Sequence, residues 1–294
     1  MLSRRKFIKE AASALALTGL ATGSRSFAFA PKAIPQPGVQ LFTYFNSIDN
    51  DVEGTLKKVA ETGVKNIESA FSRKGDYYGL SAKTFSSLLK DLGMTWRSHH
   101  VFGAPRKKSG EGPVFKNLVE NSQQIIDEAA EGGIEYLVAA HLPISIGTEI
   151  STSLDILNTA AENTKKAGLQ LIYHNEPADF KVVDGKVPYE VFLTQTDTAA
   201  LKFELDIAWA LKGGADPISF IKRYPGRFPL WHVKDLDSGY NTVLPLGAGV
   251  LDYKKYFESS ETSGLNYYFL EHEAAADPHT SIAASILNIK KITL

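Results

Sequence analysis

The chain has 294 residues, 32 basic and 33 acidic, a formal net charge of −1, and no cysteine. The missing thiol excludes disulfides, thiolate metal sites and cysteine nucleophiles. Near-neutral charge argues against a nucleic-acid partner, which requires clustered Lys and Arg to neutralise phosphates.

In chain order, residues 1–30 come first and read as an export signal. SRRKFIKE, Ser3 to Glu10, precedes an apolar Ala-rich run, and Ala28-Phe29-Ala30 fits an A-x-A cleavage site. The run falls short of the roughly 20 residues a membrane span needs, so no stable membrane insertion is expected. The paired Arg4 and Arg5 resemble the twin-arginine type of signal. Cleavage after Ala30 would leave residues 31–294, with 27 basic and 32 acidic side chains, as one exported, periplasmic domain.

Beyond residue 30 one punctuation recurs. Amphipathic segments end in glycine and a short apolar run follows at once: ETGVKNIESA, DLGMTWRSHH, EGGIEYLVAAH, KAGLQLIYHNE and TSGLNYYFLEHE. Glycine after a helix takes the left-handed conformation that ends it. The apolar runs read as parallel strands buried on both faces. VQLFTYF, ALKFELDIAW and RFPLWHVKD bring the candidates to eight. Helical patterns are expected over 52–61, 83–92, 115–131, 153–166, 189–196, 217–224, 253–262 and 281–289. Eight strand–helix units in about 260 residues predict a single-domain α/β fold, the (β/α)8 TIM barrel. A doubly wound open sheet would want a Gly-rich loop after its first strand, and TYFNSIDND has no glycine.

Chemistry in such a barrel gathers where the strands end. Here those ends are Glu68, His99-His100, His141, His174-Asn175-Glu176, Asp206, His232 with Lys234 and Asp235, and Glu271-His272-Glu273. Five of the seven histidines, 99, 100, 141, 174 and 232, fall there. Imidazoles and carboxylates without sulfur suit one divalent metal ion, Mn, Zn, Co or Mg. Grouped carboxylates also need a cation or protons to offset their charge.

YHNE, FELD, HVKD and YFLEHE, in that order, resemble the xylose-isomerase-like TIM barrel superfamily, the sugar phosphate isomerase/epimerase family. VQLFTY, GVKNIESA and PLGAGVLDYKKYF add to the likeness, which covers the chain after residue 30. The resemblance implies a metal held by Glu176, Asp206, His232 and Glu271. The subgroup usually reads YHNH followed by a carboxylate, so His174, Glu176 and Asp179 all remain candidates for the fifth-strand ligand. It further implies a metal-dependent isomerase or epimerase, or a related lyase or hydratase, that abstracts a proton next to the carbonyl of a sugar or keto-sugar. Catalytic roles fall to Glu176, Glu271 and Lys234. Substrate contacts fall to Glu68, His100, His141, His174 and Trp209. The small-molecule partner is a carbohydrate, and assembly into a homo-oligomer is compatible with the sequence. The competing reading is a non-catalytic periplasmic sugar-binding protein on the same barrel.

Overall fold

The computed structural model describes residues 34–106 and 115–293. The expected signal, residues 1–30, lies outside the described residues. Strands run in the order β1 (Gly38–Gln40), β2 (Asn66–Ser69), β3 (Thr95–Phe102), β4 (Tyr136–Ala140), β5 (Gln170–His174), β6 (Leu201–Asp206) and β7 (Leu230–Val233). An antiparallel pair, β8 (Asp235–Leu236) and β9 (Val243–Leu244), precedes the last barrel strand, β10 (Tyr267–Leu270). Strands β1 to β7 and β10 close into a parallel barrel, β10 pairing with both β7 and β1. The expected (β/α)8 TIM barrel is the fold.

Helices α1 (Val52–Glu61), α2 (Ala82–Asp91), α3 (Ser122–Gly132), α4 (Gly147–Lys166), α5 (Pro188–Gln195), α6 (Ile207–Lys212) and α7 (Pro217–Arg223) alternate with the strands. Helices α8 (Tyr253–Phe257), α9 (Ser260–Ser263) and α10 (Pro278–Thr293) complete the ring. None of the described helices is long and apolar enough to cross a membrane.

Side chains alternate across each strand. One set, including Leu171, Tyr173, Phe203, Trp231 and Tyr268, faces outward into the main apolar core against the helices. Each such fully buried large side chain contributes about 1.5–3 kcal/mol. The other set faces the lumen. Tyr136, Val138, Ile172, Leu230 and Phe269 form a separate apolar cluster there, a plug on the N-terminal side of the barrel. Gly38 makes room for it, because a Cβ at that position would collide with the Phe269 ring.

Candidate active site

Two residues beyond the plug residues of β5, β7 and β10 the lumen turns polar: His174 follows Ile172, His232 follows Leu230, and Glu271 follows Phe269. The same step on β6 places Glu204 and then Asp206. Glu68 stands where the β2–β3 register shifts between Ile67 and Glu68. A bulge of this kind re-aims a side chain. Glu68 Oε1 accepts from Gln40 Nε2 at 2.8 Å, its Oε2 accepts from Ser98 Oγ at 2.5 Å, and His232 Nε2 lies 2.6 Å from Oε1. His100 Nε2 lies 2.7 Å from Glu204 Oε2, and the His100 and His232 rings stack at 5.2 Å. Burial opposes charge on Glu68, but His100 and His232 outweigh it and hold the carboxyl well below its usual range. Burial likewise opposes charge on His100, yet Glu68 and Glu204 raise it to about 9.

Above this tier the donor atoms converge. Asp206 caps α6, its Oδ1 accepting from Trp209 N at 2.8 Å, which turns Oδ2 into the lumen. Asn175 clamps the same strand end by accepting from Asp206 N at 3.0 Å and donating to Asp206 O at 3.2 Å. His174 Nε2 lies 3.0 Å from His232 Nδ1 and 3.6 Å from Asp206 Oδ2, and the last two atoms are 3.7 Å apart. A point equidistant from all three is about 2 Å from each, the length of a zinc–nitrogen or zinc–carboxylate bond. Glu271 Oε2 is 3.1 Å from the same His232 nitrogen. Two ring nitrogens facing each other across 3.0 Å, beside two carboxylates and no sulfur, fit a divalent cation of the expected kind. The buried quartet Glu68, His100, Glu204 and His232 has compatible spacing too. Its atoms, however, are largely engaged with one another, Gln40 and Ser98.

A cation of the chain's own already meets these carboxylates. Lys234 Nζ is 2.9 Å from Asp206 Oδ2, 2.5 Å from Glu271 Oε2 and 3.0 Å from Glu273 Oε1, with 0% side-chain exposure. Burial alone would strip its proton, but Asp206, Glu271 and Glu273 hold the ammonium charged well beyond its ordinary range. Glu271 is correspondingly held ionised against burial by Lys234 and His232. The Tyr253 hydroxyl fixes the Lys234 backbone, donating to its carbonyl at 2.6 Å and accepting from its N–H at 3.1 Å.

Over these groups lies a cavity of about 200 Å³, whose lining includes Phe42, Phe71, Glu176, Glu271 and Glu273. His100, His141, His174 and His232 also reach it. Of the expected metal set, Asp206, His232 and Glu271 come together. Glu176 does not join them: it faces His141 Nδ1 at 3.6 Å, and His174 is the β5 side chain that stands beside Asp206 and His232. Burial, with Glu273 adding, pushes the Glu176 carboxyl up to about 8. Asp179 is turned away, accepting from Tyr173 OH and from Glu176 N at 2.6 Å each.

Two expected substrate contacts move to other roles. Glu68 is fully buried beneath His232 and off the cavity wall. Trp209 lies against Lys234, whose Nζ sits 4.3 Å from the ring centroid, and does not border the cavity. Glu204 was missing from the expected site. Its signal is present in FELD, where it shares the inward face of β6 with Asp206, two residues on.

The sequence profile of the family described as Xylose isomerase-like TIM barrel matches residues 56–292. No curated protein sequence matches the chain. A solved sugar phosphate isomerase/epimerase from Parabacteroides distasonis ATCC 8503 is 26% identical, with TM-score 0.72 over 92% of this chain and 97% of its own. A second sugar phosphate isomerase/epimerase from that organism is 24% identical, with TM-score 0.74 over 87% and 98%. The IOLI protein with a binding zinc atom is 14% identical, with TM-score 0.68 over 88% and 98%, a likeness of fold.

Proposed function

Because the chain belongs to the xylose isomerase-like TIM barrel family, we propose that it is a divalent-metal-dependent isomerase or epimerase acting on a sugar or keto-sugar. The observation carrying this reading is the convergence of His174, Asp206 and His232 under a cavity walled by Glu176 and Glu271. Those three side chains, with Glu271 alongside, would hold the ion. When bound, the ion would polarise a carbonyl oxygen as a Lewis acid. Zinc bound in a protein of the same fold supports such a site.

The chain's own groups supply the proton handling. A proton on carbon next to a carbonyl is weakly acidic, and its removal needs a carboxylate within reach. Glu271, kept ionised by Lys234, is suited to accept it, the electron pair moving onto the carbonyl oxygen. Glu176, on the β5 side of the cavity, is placed to exchange a proton at the opposite face of a bound ring. Return to the same carbon epimerises; return to its neighbour isomerises. Phe42 and Phe71 offer an apolar wall for the less polar face of a ring. Lys234 orders Asp206 and Glu271 from below without touching substrate. An export signal at residues 1–30 would direct the protein to the periplasm and to free rather than phosphorylated sugars.

The test is metal analysis of the purified protein together with NMR of keto-sugars in deuterated water. Exchange at the carbon next to the carbonyl is expected, and Glu271→Gln should lower its rate by about 10²–10⁴-fold. A second reading, sugar binding without turnover, draws on Lys234, which already satisfies the carboxylates. It would require that no metal copurifies and no proton exchanges.

A further inference from the structure

A second cavity, of about 400 Å³, opens beside the first among the segments that follow β3, β4 and β5. Both are bordered by His141 and Glu176, which form the partition between them. The partition is built with some strain. His141 has φ 56°, a left-handed conformation that side-chain-bearing residues seldom adopt. Such strain persists where the surrounding structure fixes it, commonly beside a binding site. The two cavities also differ in character. The inner one presents Glu176, Glu271 and Glu273, and no Lys or Arg among its described lining. A phosphate there would face carboxylates directly. The outer one is bordered by one residue of each sign, Arg106 and Glu149, the latter's Oε2 already accepting from Ser145 N at 2.8 Å, and its remaining wall includes Leu142 and Ala178. That surface suits an uncharged unit with hydroxyls and an apolar face.

Resting on the function proposed above, we infer that the outer cavity is a second subsite and that the substrate is a neutral carbohydrate of two units, a disaccharide or glycoside. One ring lies over His174 and His232 against Phe71, the second unit lies in the outer cavity, and the linkage crosses at His141 and Glu176, whose side chains stand 3.6 Å apart and swing aside to admit it.

Calorimetric titration of the purified protein with glucose, maltose, cellobiose and sucrose tests this. At least one disaccharide should bind about tenfold or more tightly than glucose, equivalent to about 1.4 kcal/mol. Ser145 and Ala178 are exposed and border the outer cavity but not the inner one. Ser145→Trp and Ala178→Trp, each checked for an unchanged circular dichroism spectrum, should abolish the gain while glucose binds as before. Equal affinity for glucose and every disaccharide, or a gain that survives both substitutions, overturns the second subsite and leaves the proposed isomerase standing. Failure of all four sugars to bind overturns the subsite, and the exchange experiment then judges the isomerase separately.

Discussion

Lys234 sets the energetics of the site. Fully buried itself, it ion-pairs with Asp206, Glu271 and the partly exposed Glu273. Removing one partner of a buried ion pair costs about 3–5 kcal/mol, because the charges left behind lose their compensation. Lys234→Met should therefore lose stability of that order in urea unfolding. Added Zn²⁺ or Mn²⁺ should restore more of it than the same ion adds to the unsubstituted chain, and equal gains would deny that metal and lysine serve the same carboxylates. His99 behaves in the opposite way. It faces outward, its Nδ1 2.7 Å from Ser69 Oγ. Burial, reinforced by His100, lowers it to about 3. Its unfolded value is about 6.5, so the unfolded chain takes up this proton first. The stability linked to His99 is complete above about 6.5 and is lost as pH falls towards 3. His99→Gln should flatten that decline when unfolding is followed at pH 7, 5 and 4. Of the site, Asp206, His232 and Glu271 were legible as polar ends of apolar runs. Which of His174, Glu176 and Asp179 would serve as the β5 donor was not, since strand alternation puts His174 and Glu176 on the same face, and only the end of β5 at His174 and the turn from Pro177 carry Glu176 and Asp179 away.

At the level of elements, strands were easier to read than helix ends. Glycine after a helix followed by an apolar run is a strong local signal, and all eight barrel strands carry one side chain in and one out. The pattern over 115–131 begins as a helix only at Ser122, because Asn117 Oδ1 accepts from Val119 N and Glu120 N and holds a turn instead. The pattern over 253–262 divides into α8 and α9. Its serines compete for backbone hydrogen bonds and weaken a continuous helix. Helix α6, directly after Asp206, was not expected at all; its six residues are too few to show a period. The segment after β9 is organised by Asp235, whose carboxylate accepts from Leu236 N, Gly247 N and Leu251 N. Gly249 passes so close to Leu236 O and Asp235 Oδ1 that a Cβ would overlap both. Gly249→Ala should cost about 1–3 kcal/mol, the usual penalty of forced overpacking, in thermal or urea unfolding. An unchanged midpoint would mean that this segment moves aside freely.

For the molecule as a whole, the closed barrel and its apolar plug decide how anything gets in or out. Among the described residues, Tyr136, Val138, Ile172, Leu230 and Phe269 fill the barrel beneath the candidate site with apolar side chains. Traffic to the proposed metal then runs from the rim above it, so departing product and arriving reactant would share that route in turn. If the proposed isomerase reading holds, product should inhibit in competition with reactant in steady-state assays, raising KM and leaving kcat untouched.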